Sequence, residues 1–292
     1  RERAVSAATA AAPLAPARRA ATVRPVTFGR LVASEWIKLR SLRSTWWSLG
    51  VAAAFLVAFA VLQTWGTSTD PLNFGSGVSQ SGASFVTGGW FLVQLVVCVL
   101  GALLITGEYG TGQIRSTLSA EPRRIPVLAA KLVVLFGTVF AAMTVAAAIG
   151  WAGASPWFDT IGVSIDLTDP SDLRVLLGTP LYLATVAALA FAFGALLRNS
   201  AAAIATVLGL LLVVENVFSL IPGRFIELAG PFLPSRAGSL VLQDDSSLDA
   251  HVMWSEMSDV AALGPWQGWA VLAAWVAVLL TVAAVLLRRR DA

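Results

Sequence analysis

Six long apolar runs divide this sequence and constrain what it can fold into. Each run contains about 18–24 residues, and about 20 helical residues are needed to cross the hydrocarbon core of a bilayer. Hydrophobic residues make up 57% of the chain and charged residues only 13%, whereas soluble domains carry about 25% charged residues. The sequence therefore predicts an all-α integral membrane protein with six transmembrane helices. They are predicted near Trp46–Gln63, Gly89–Thr106, Val127–Gly150, Leu176–Leu197, Ala201–Leu220 and Trp269–Leu287.

The region before the first run has two parts. Residues 1–25 are rich in Ala, Pro and Arg and have no apolar core. This composition favours a disordered cytoplasmic tail over a targeting presequence. From Val26 onward, apolar residues recur at steps of three or four, with basic and small polar residues on the other side, which predicts an amphipathic helix in the membrane interface. Its apolar positions are Phe28, Val32, Trp36, Leu39, Leu42 and Trp46.

The distribution of basic residues predicts the orientation. Of the 20 Lys and Arg residues, 17 lie before the first run, between Gly107 and Lys131, in the fourth connection, or after the sixth run. By the positive-inside rule these segments are cytoplasmic, so both termini are predicted on the cytoplasmic side of the plasma membrane. The opposite connections include eight aspartates, which are Asp159, Asp166, Asp169, Asp172, Asp244, Asp245, Asp249 and Asp259.

The connection between the second and third runs, residues 107–126, has features that a plain linker does not need. Thr111 is predicted to cap a short helix with Ile114 and Leu118 on one face. Pro126 suits the first turn of the next helix. We interpret this connection as a docking element for a partner in the aqueous phase.

The long extracellular connection before the sixth run, residues 221–267, leaves two interpretations open. It is broken by four prolines, and its apolar patches are too short to span a bilayer. It is either a re-entrant or surface-lying hairpin that caps the outer face, or a partly ordered loop.

The sequence predicts no catalytic residue and no metal site. The glycine-rich run that begins at Gly107 lacks the lysine of a phosphate-binding loop and follows a predicted span rather than a strand. Cys98 is the only cysteine, which excludes an internal disulfide and a cysteine-based metal cluster. His251, the only histidine, is interpreted as a solvated loop residue.

Glu215 is the one clearly ionisable residue inside an apolar run. A carboxylate in hydrocarbon is costly unless it faces protein or water, so Glu215 and its neighbour Asn216 are candidate residues lining a pathway. Glu215 lies within a turn or two of the predicted outer end of its helix. The alternative is therefore that it reaches interfacial water, or pairs with Asn216 or Arg224.

Two segments resemble permease subunits of the ABC-2 type, the type-two class of ABC exporters. Residues 34–47, Ser-Glu-Trp-Ile-Lys-Leu-Arg-Ser-Leu-Arg-Ser-Thr-Trp-Trp, are similar to the connecting helix that runs into the first span of that class. Residues 107–124, which begin Gly-Glu-Tyr-Gly-Thr-Gly-Gln-Ile-Arg, look like its loop between spans two and three. The number of spans, the cytoplasmic termini and the long connection before the last span also fit, so the resemblance covers residues 26–292 as one permease domain.

The resemblance implies the membrane-spanning half of an ATP-driven exporter that forms the pathway for an unknown substrate. It implies partnership with ABC ATP-binding subunits and with a second permease subunit, either an identical copy or a paralogue, within the lipid bilayer. ATP and Mg would bind to the partner subunits. This chain itself is expected to bind no cofactor and no nucleic acid.

The resemblance also implies roles for individual residues. In that class, a coupling helix in this loop is seated in a groove of the ATPase, and by implication Ile114 and Leu118 would be its apolar anchors. Glu108 would tie the end of the second span to the connecting helix through Lys38 or Arg40. The expected polar contacts with the ATPase are Gln113, Arg115, Arg123 and Arg124.

Two alternative functions come from different classes. A secondary transporter driven by an ion gradient typically has several buried ionisable groups and an internal repeat, and neither is clear in this sequence. A non-transporting membrane scaffold or sensor would use the same cytoplasmic loop to bind a signalling partner.

Overall fold

The computed structural model describes residues 27–70, 81–112, 124–221 and 223–289, and the regular structure in these residues is helical. The tail predicted for residues 1–25 lies outside them. The α-helices are Phe28–Ser41, Arg43–Thr69, Gly82–Thr87, Trp90–Gly110, Arg124–Ala154, Phe158–Ile161, Pro170–Leu197, Ser200–Leu208, Glu215–Leu220, Arg224–Ala229, Pro234–Gly238, Asp245–Met257 and Pro265–Arg289. A π-helix at Gly209–Val214 and 3-10 helices at Ser155–Trp157, Gly230–Phe232 and Ser239–Leu242 complete the described elements.

Six of these helical stretches are long and apolar enough to cross a membrane, which confirms the predicted number and order of transmembrane helices. Each one extends past its apolar run at one end or both, because the helix continues into polar residues at the ends. We refer to them as span 1 (Arg43–Thr69), span 2 (Trp90–Gly110), span 3 (Arg124–Ala154), span 4 (Pro170–Leu197), span 5 (Ser200–Phe218) and span 6 (Pro265–Leu287).

Span 4 is the central helix of the bundle. Its most apolar window is 78% buried within the chain, against 22–50% for the other five spans. Small residues allow close contact with span 2: a Cβ on Gly101 would overlap the carbonyl oxygen of Ala187, and a Cβ on Gly194 would come within 2.5 Å of Ile105. Such backbone contact strengthens packing where lipid removes the hydrophobic driving force between helices.

Residues 223–267 fold back onto the bundle and pack between spans 4 and 6, and we call them the re-entrant segment. A Cβ on Gly268 of span 6 would overlap the carbonyl oxygen of Ala237, and Val241 is fully buried against span 4. The hydroxyl groups of Tyr182 and Ser235 lie 2.9 Å apart. Tyr182 is about 18 Å along span 4 from the start of that helix, at 1.5 Å of rise per residue.

Polar contacts hold this segment to one other connection and to span 4. Asp244 accepts hydrogen bonds from Ser81 N–H at 2.9 Å and Ser84 Oγ at 3.1 Å, which joins the segment to the connection between spans 1 and 2. Arg174, in the first turns of span 4, donates to the carbonyl oxygen of Gln243 at 2.8 Å. We call this end of the bundle the acidic end, because the eight aspartates of the sequence analysis lie there.

The amphipathic helix before span 1 is shorter than the pattern predicted. It ends at Ser41, and Leu42 has an extended backbone (φ −84°, ψ 113°) that separates it from span 1. Its buried positions are Glu35 and Leu39, whereas Trp36 on the predicted apolar face is 41% exposed. The helix therefore packs through a face that includes a charged residue. We call the end of the bundle that holds this helix the basic end.

Candidate coupling site at the basic end

Four charged side chains from three helices meet at the basic end, and we call them the charge cluster. Lys131 Nζ donates to Glu108 Oε1 at 2.7 Å and also to Glu35 Oε2. Lys38 Nζ donates to Glu35 Oε1 at 2.7 Å and lies 3.5 Å from Glu108 Oε1. Two ammonium groups thus alternate with two carboxylates, and their formal charges cancel.

Helical spacing brings these residues together. Glu35 and Lys38 are three residues apart on the N-terminal helix and therefore share a face. Glu108 lies in the last turn of span 2, and Lys131 lies two turns into span 3. The cluster consequently connects the N-terminal helix to spans 2 and 3.

The cluster is buried, which makes its pairing energetically necessary. The side chain of Lys131 is 3% exposed, that of Glu35 is 4% exposed and that of Glu108 is 9% exposed, whereas that of Lys38 is 31% exposed. A buried charge whose partner is removed costs about 3–5 kcal/mol. The cluster therefore fixes the relative positions of three helix ends, since each ion needs the others.

The opposite charges of the cluster keep Glu35 and Lys38 of the N-terminal helix ionised. Burial would raise the pKa of Glu35, but the nearby charges and hydrogen bonds of Lys131 and Lys38 outweigh it and lower this pKa. Burial would lower the pKa of Lys38, but Glu35 and Glu108 raise it above its ordinary value. Both residues are therefore fully charged at neutral pH.

The turn between spans 4 and 5 also contacts the end of span 2. Span 4 ends at Arg198, which has a left-handed backbone (φ 54°), and its guanidinium carbon lies 5.3 Å from the centre of the Tyr109 ring. Ser200 Oγ donates to Thr106 Oγ1 at 2.8 Å. The last turn of span 2 is thus held on one side by the charge cluster and on the other by the start of span 5.

The charge cluster lies beside the two ends of the predicted docking element. Span 2 closes where Thr111 Oγ1 donates to the carbonyl oxygen of Gly107 at 2.9 Å, and Gly112 takes a positive φ of 71°. The next helix begins at Arg124, with Pro126 in its first turn as predicted. A cavity of about 360 Å³ adjoins the cluster and reaches Gly107 and Thr111.

The coupling helix itself falls between these two ends. Residues 113–123 lie outside the described residues, and so does the side chain of Arg124. The predicted anchors Ile114 and Leu118, and the helix that Thr111 is predicted to cap, fall within this range. The expected roles stay predictions for Gln113, Ile114, Arg115, Leu118, Arg123 and Arg124.

The structure places one of the two expected partners of Glu108 beside it. Lys38 is 3.5 Å away, whereas Arg40 is exposed, and its carbonyl oxygen accepts a hydrogen bond from the indole N–H of Trp46. Sequence reasoning missed Glu35 and Lys131. The available signal was an acid three residues before a lysine on an amphipathic, otherwise basic helix, together with a lysine inside the start of the third apolar run.

Glu215, the intramembrane acid, binds the re-entrant segment. It is 4% exposed, and its two carboxylate oxygens accept hydrogen bonds from the backbone N–H groups of Ser235 at 2.8 Å and Arg236 at 3.1 Å. Arg224 pairs instead with Asp259 at 2.6 Å, so the alternative in which Glu215 pairs with Arg224 is wrong. Burial of the carboxylate is compensated by N–H donors at the start of a short helix.

Asn216 points differently from Glu215. It is exposed, and its side-chain amide donates to the carbonyl oxygen of Leu212 at 2.7 Å. Lining of a pathway by Glu215 and Asn216 stays a prediction. Among the described residues, no group of three or more His, Cys, Asp or Glu is placed to hold a metal ion.

Comparison with known proteins agrees with this architecture. The model of the ABC-2 family transporter proteins matches residues 31–216, which is more than half of the chain and includes the charge cluster and spans 1–4. No curated protein matches the chain. The match, together with six apolar spans, confirms the resemblance found in the sequence: this chain belongs to the ABC-2 transporter family and is a multi-pass membrane transport subunit rather than an enzyme.

Proposed function

We propose that this chain is the permease subunit of an ATP-driven exporter and forms the translocation pathway. Its working partners are separate ATP-binding subunits that dock on residues 107–126 and bind the ATP and Mg. The family supports the partnership. The charge cluster carries the proposal, because it lies at the base of that loop and joins three helix ends.

The charge cluster is the joint through which a push on the loop moves the bundle. Residues 113–123 begin five positions after Glu108 and end eight positions before Lys131. Because Lys131 bridges Glu108 and Glu35, displacement of the loop shifts spans 2 and 3 and the N-terminal helix as one unit. Separating these charges in a buried site would cost several kcal/mol, so the unit moves without coming apart.

Span 4 carries this movement across the bundle. It contacts span 2 at Gly101 and Gly194 with almost no space between the backbones. Interfaces packed in this way shift as rigid bodies instead of deforming continuously. ATP binding and hydrolysis in the partners would thus rock the spans between inward-open and outward-open states, and this chain needs no catalytic residue of its own.

The orientation follows from the same scheme. The basic end, which holds the loop and both chain termini, faces the cytoplasm, and the acidic end faces the exterior of the plasma membrane. Among the sequence's 20 basic residues, 17 are placed on the cytoplasmic side by this topology, as the positive-inside rule requires. An identical copy or a paralogue provides the second half of the pathway.

Purification of the complex from its native membrane tests this function. The full chain, carrying an affinity tag, is extracted in mild detergent, and ATP hydrolysis and subunit composition are measured. We expect the complex to contain an ABC ATPase and to hydrolyse ATP. A complex with an inactive variant of that ATPase subunit should not hydrolyse ATP. A purified chain that transports in liposomes with an ion gradient and without an ATPase would favour the secondary transporter, and a complex with a signalling protein instead would favour the scaffold.

A further inference from the structure

A cavity of about 540 Å³ opens at the acidic end, away from the charge cluster. The end of span 5, the 3-10 turn Gly230–Phe232 and the helix Asp245–Met257 form its walls. Small-molecule sites have volumes of about 300–1,000 Å³ and consist of apolar walls with a few polar groups. This cavity has that size and composition.

One cation faces the cavity. Arg236 lines it, and in the described part of the chain its guanidinium makes no salt bridge. The Glu215 carboxylate accepts from the backbone N–H groups of Ser235 and Arg236, and it attracts the Arg236 guanidinium without a salt bridge to it. Glu227, which also lines the cavity, lies 3.8 Å from Arg224, which balances its charge. The hydrogen-bond donors of the Arg236 guanidinium are thus available to a ligand.

His251 provides a second polar group, which lacks a side-chain partner among the described residues. It lines the cavity, and its Nε2 atom is buried and makes no hydrogen bond with the described residues. Burial lowers the pKa of His251, so the imidazole is neutral at pH 7 and leaves the positive charge to Arg236. A buried polar atom without a partner is uncommon and is satisfied when a ligand or water binds to it.

Much of the remaining lining is apolar, although Ser239 and Gln243 also belong to it. The apolar lining includes Phe218, Leu240 and Trp254, and Trp254 is 60% exposed. Contact between these apolar side chains and a hydrocarbon chain is favourable by about 25 cal/mol for each Å² of apolar surface removed from water. The cavity therefore combines a single cationic contact with a place for an apolar chain.

We propose that this cavity binds an amphiphile with one anionic head group, a carboxylate or a phosphate, and a hydrocarbon tail. The head group pairs with Arg236 and binds His251 Nε2, and the tail lies along Phe218, Leu240 and Trp254. This site is separate from the charge cluster, and the inference holds whether or not the chain works with an ATPase.

Quenching of Trp254 fluorescence by a short brominated amphiphile tests this inference. The probe is 8-bromooctanoate, added to the full chain in phosphatidylcholine nanodiscs. The fluorescence of Trp254 is obtained by subtracting the fluorescence of Trp254→Phe from that of the wild type. We expect saturable quenching by the carboxylate and at least about tenfold weaker quenching by 8-bromooctanol, because the charge-assisted contact is lost. Equal quenching by the two probes, or no saturation, would overturn the proposal.

Variants locate the head group. Arg236→Gln should weaken octanoate binding at least about tenfold, and Arg236→Lys should retain most of it. Arg224→Gln removes the same charge from the same end outside the lining, and it should change binding less than about fivefold, as is typical of exposed charges. If Arg224→Gln weakens binding as much as Arg236→Gln, the cavity is not the site.

The source of the ligand is distinguished by the nanodisc lipid. If phosphatidylglycerol in the disc competes with 8-bromooctanoate at Trp254, the natural occupant is a membrane lipid. If it does not compete and the octanoate still saturates, the occupant is a free anionic amphiphile. Loss of saturable binding in both discs contradicts the site.

Discussion

Lys131 Nζ donates to Glu108 Oε1 at 2.7 Å across the two ends of the loop that separates spans 2 and 3. The same ammonium binds Glu35 of the N-terminal helix. One buried cation thus holds together the three helix ends around the predicted docking element, in a position where a partner's movement would be passed on to the spans.

Removal of this cation should destabilise the protein strongly. Lys131→Met leaves Glu35 and Glu108 buried with only Lys38 to share, so we expect a loss of about 3–5 kcal/mol. Thermal unfolding of the purified protein in detergent measures the change. Lys38→Met is the matched control and should cost less, because its side chain is 31% exposed. Equal losses in the two variants would contradict a buried cluster centred on Lys131.

Acidification should weaken the same cluster. The pKa of Glu35 in the folded protein lies below its ordinary value of 4.5, because the lysines outweigh the effect of burial. A carboxyl group whose pKa is lower in the folded state than in the unfolded state stabilises the fold fully at pH values above the unfolded-state pKa. This stabilisation is lost as the pH falls through the folded-state pKa. We expect the unfolding temperature to decrease as the pH is lowered below about 4.5. The decrease should be less steep in Glu35→Gln. Identical slopes would show that Glu35 is not paired.

Glu215 should control the order of the re-entrant segment. Glu215→Leu removes both acceptors of the Ser235 and Arg236 N–H groups, and each buried donor left without a partner costs about 1–3 kcal/mol. Hydrogen–deuterium exchange should therefore become faster across residues 230–243. Glu227→Gln, an exposed acid of the same segment, serves as the control and should leave this exchange unchanged. Unchanged exchange in Glu215→Leu would mean that this carboxylate does not hold the segment.

The contact between spans 2 and 4 should not accept a methyl group. A Cβ on Gly101 would overlap the Ala187 carbonyl oxygen, so Gly101→Ala should destabilise the bundle by about 1–3 kcal/mol. A Cβ on Gly137 meets nothing within 4 Å in the described part of the chain. Gly137→Ala should therefore be neutral or stabilising by about 0.5–1 kcal/mol, since alanine favours a helix. Thermal unfolding of the two variants decides this, and an equal loss in both would contradict the close contact.

The six spans could be predicted from the sequence because bilayer thickness imposes a length that apolar runs reveal directly. Their packing order could not, since apolar composition is similar all round each helix. Span 4 is central because Gly101 and Gly194 admit close backbone contact, and no local pattern distinguishes them from Gly137, which has open space around it.

The charge cluster was only half predictable. Glu108 and Lys38 stood out because the resemblance implies a contact between them. Lys131 did not, because it looks like an ordinary basic residue at a membrane boundary, and only the fold shows that it is 3% exposed between two acids. Similarly, Glu215 signalled a constraint, but its partners are backbone groups 20 residues away, which no side-chain pattern reveals.

Docking of an ATPase on residues 107–126 tests the account most directly. Ile114→Glu with Leu118→Glu places two charges on the predicted apolar anchors, while Phe225→Glu with Leu228→Glu places two charges on exposed apolar residues at the acidic end. Copurification of the ATP-binding subunit with the tagged chain is measured for both, with membrane insertion as the common check. We predict that the first pair abolishes copurification and the second preserves it. Copurification at the wild-type level in the first pair would contradict the coupling role of this loop.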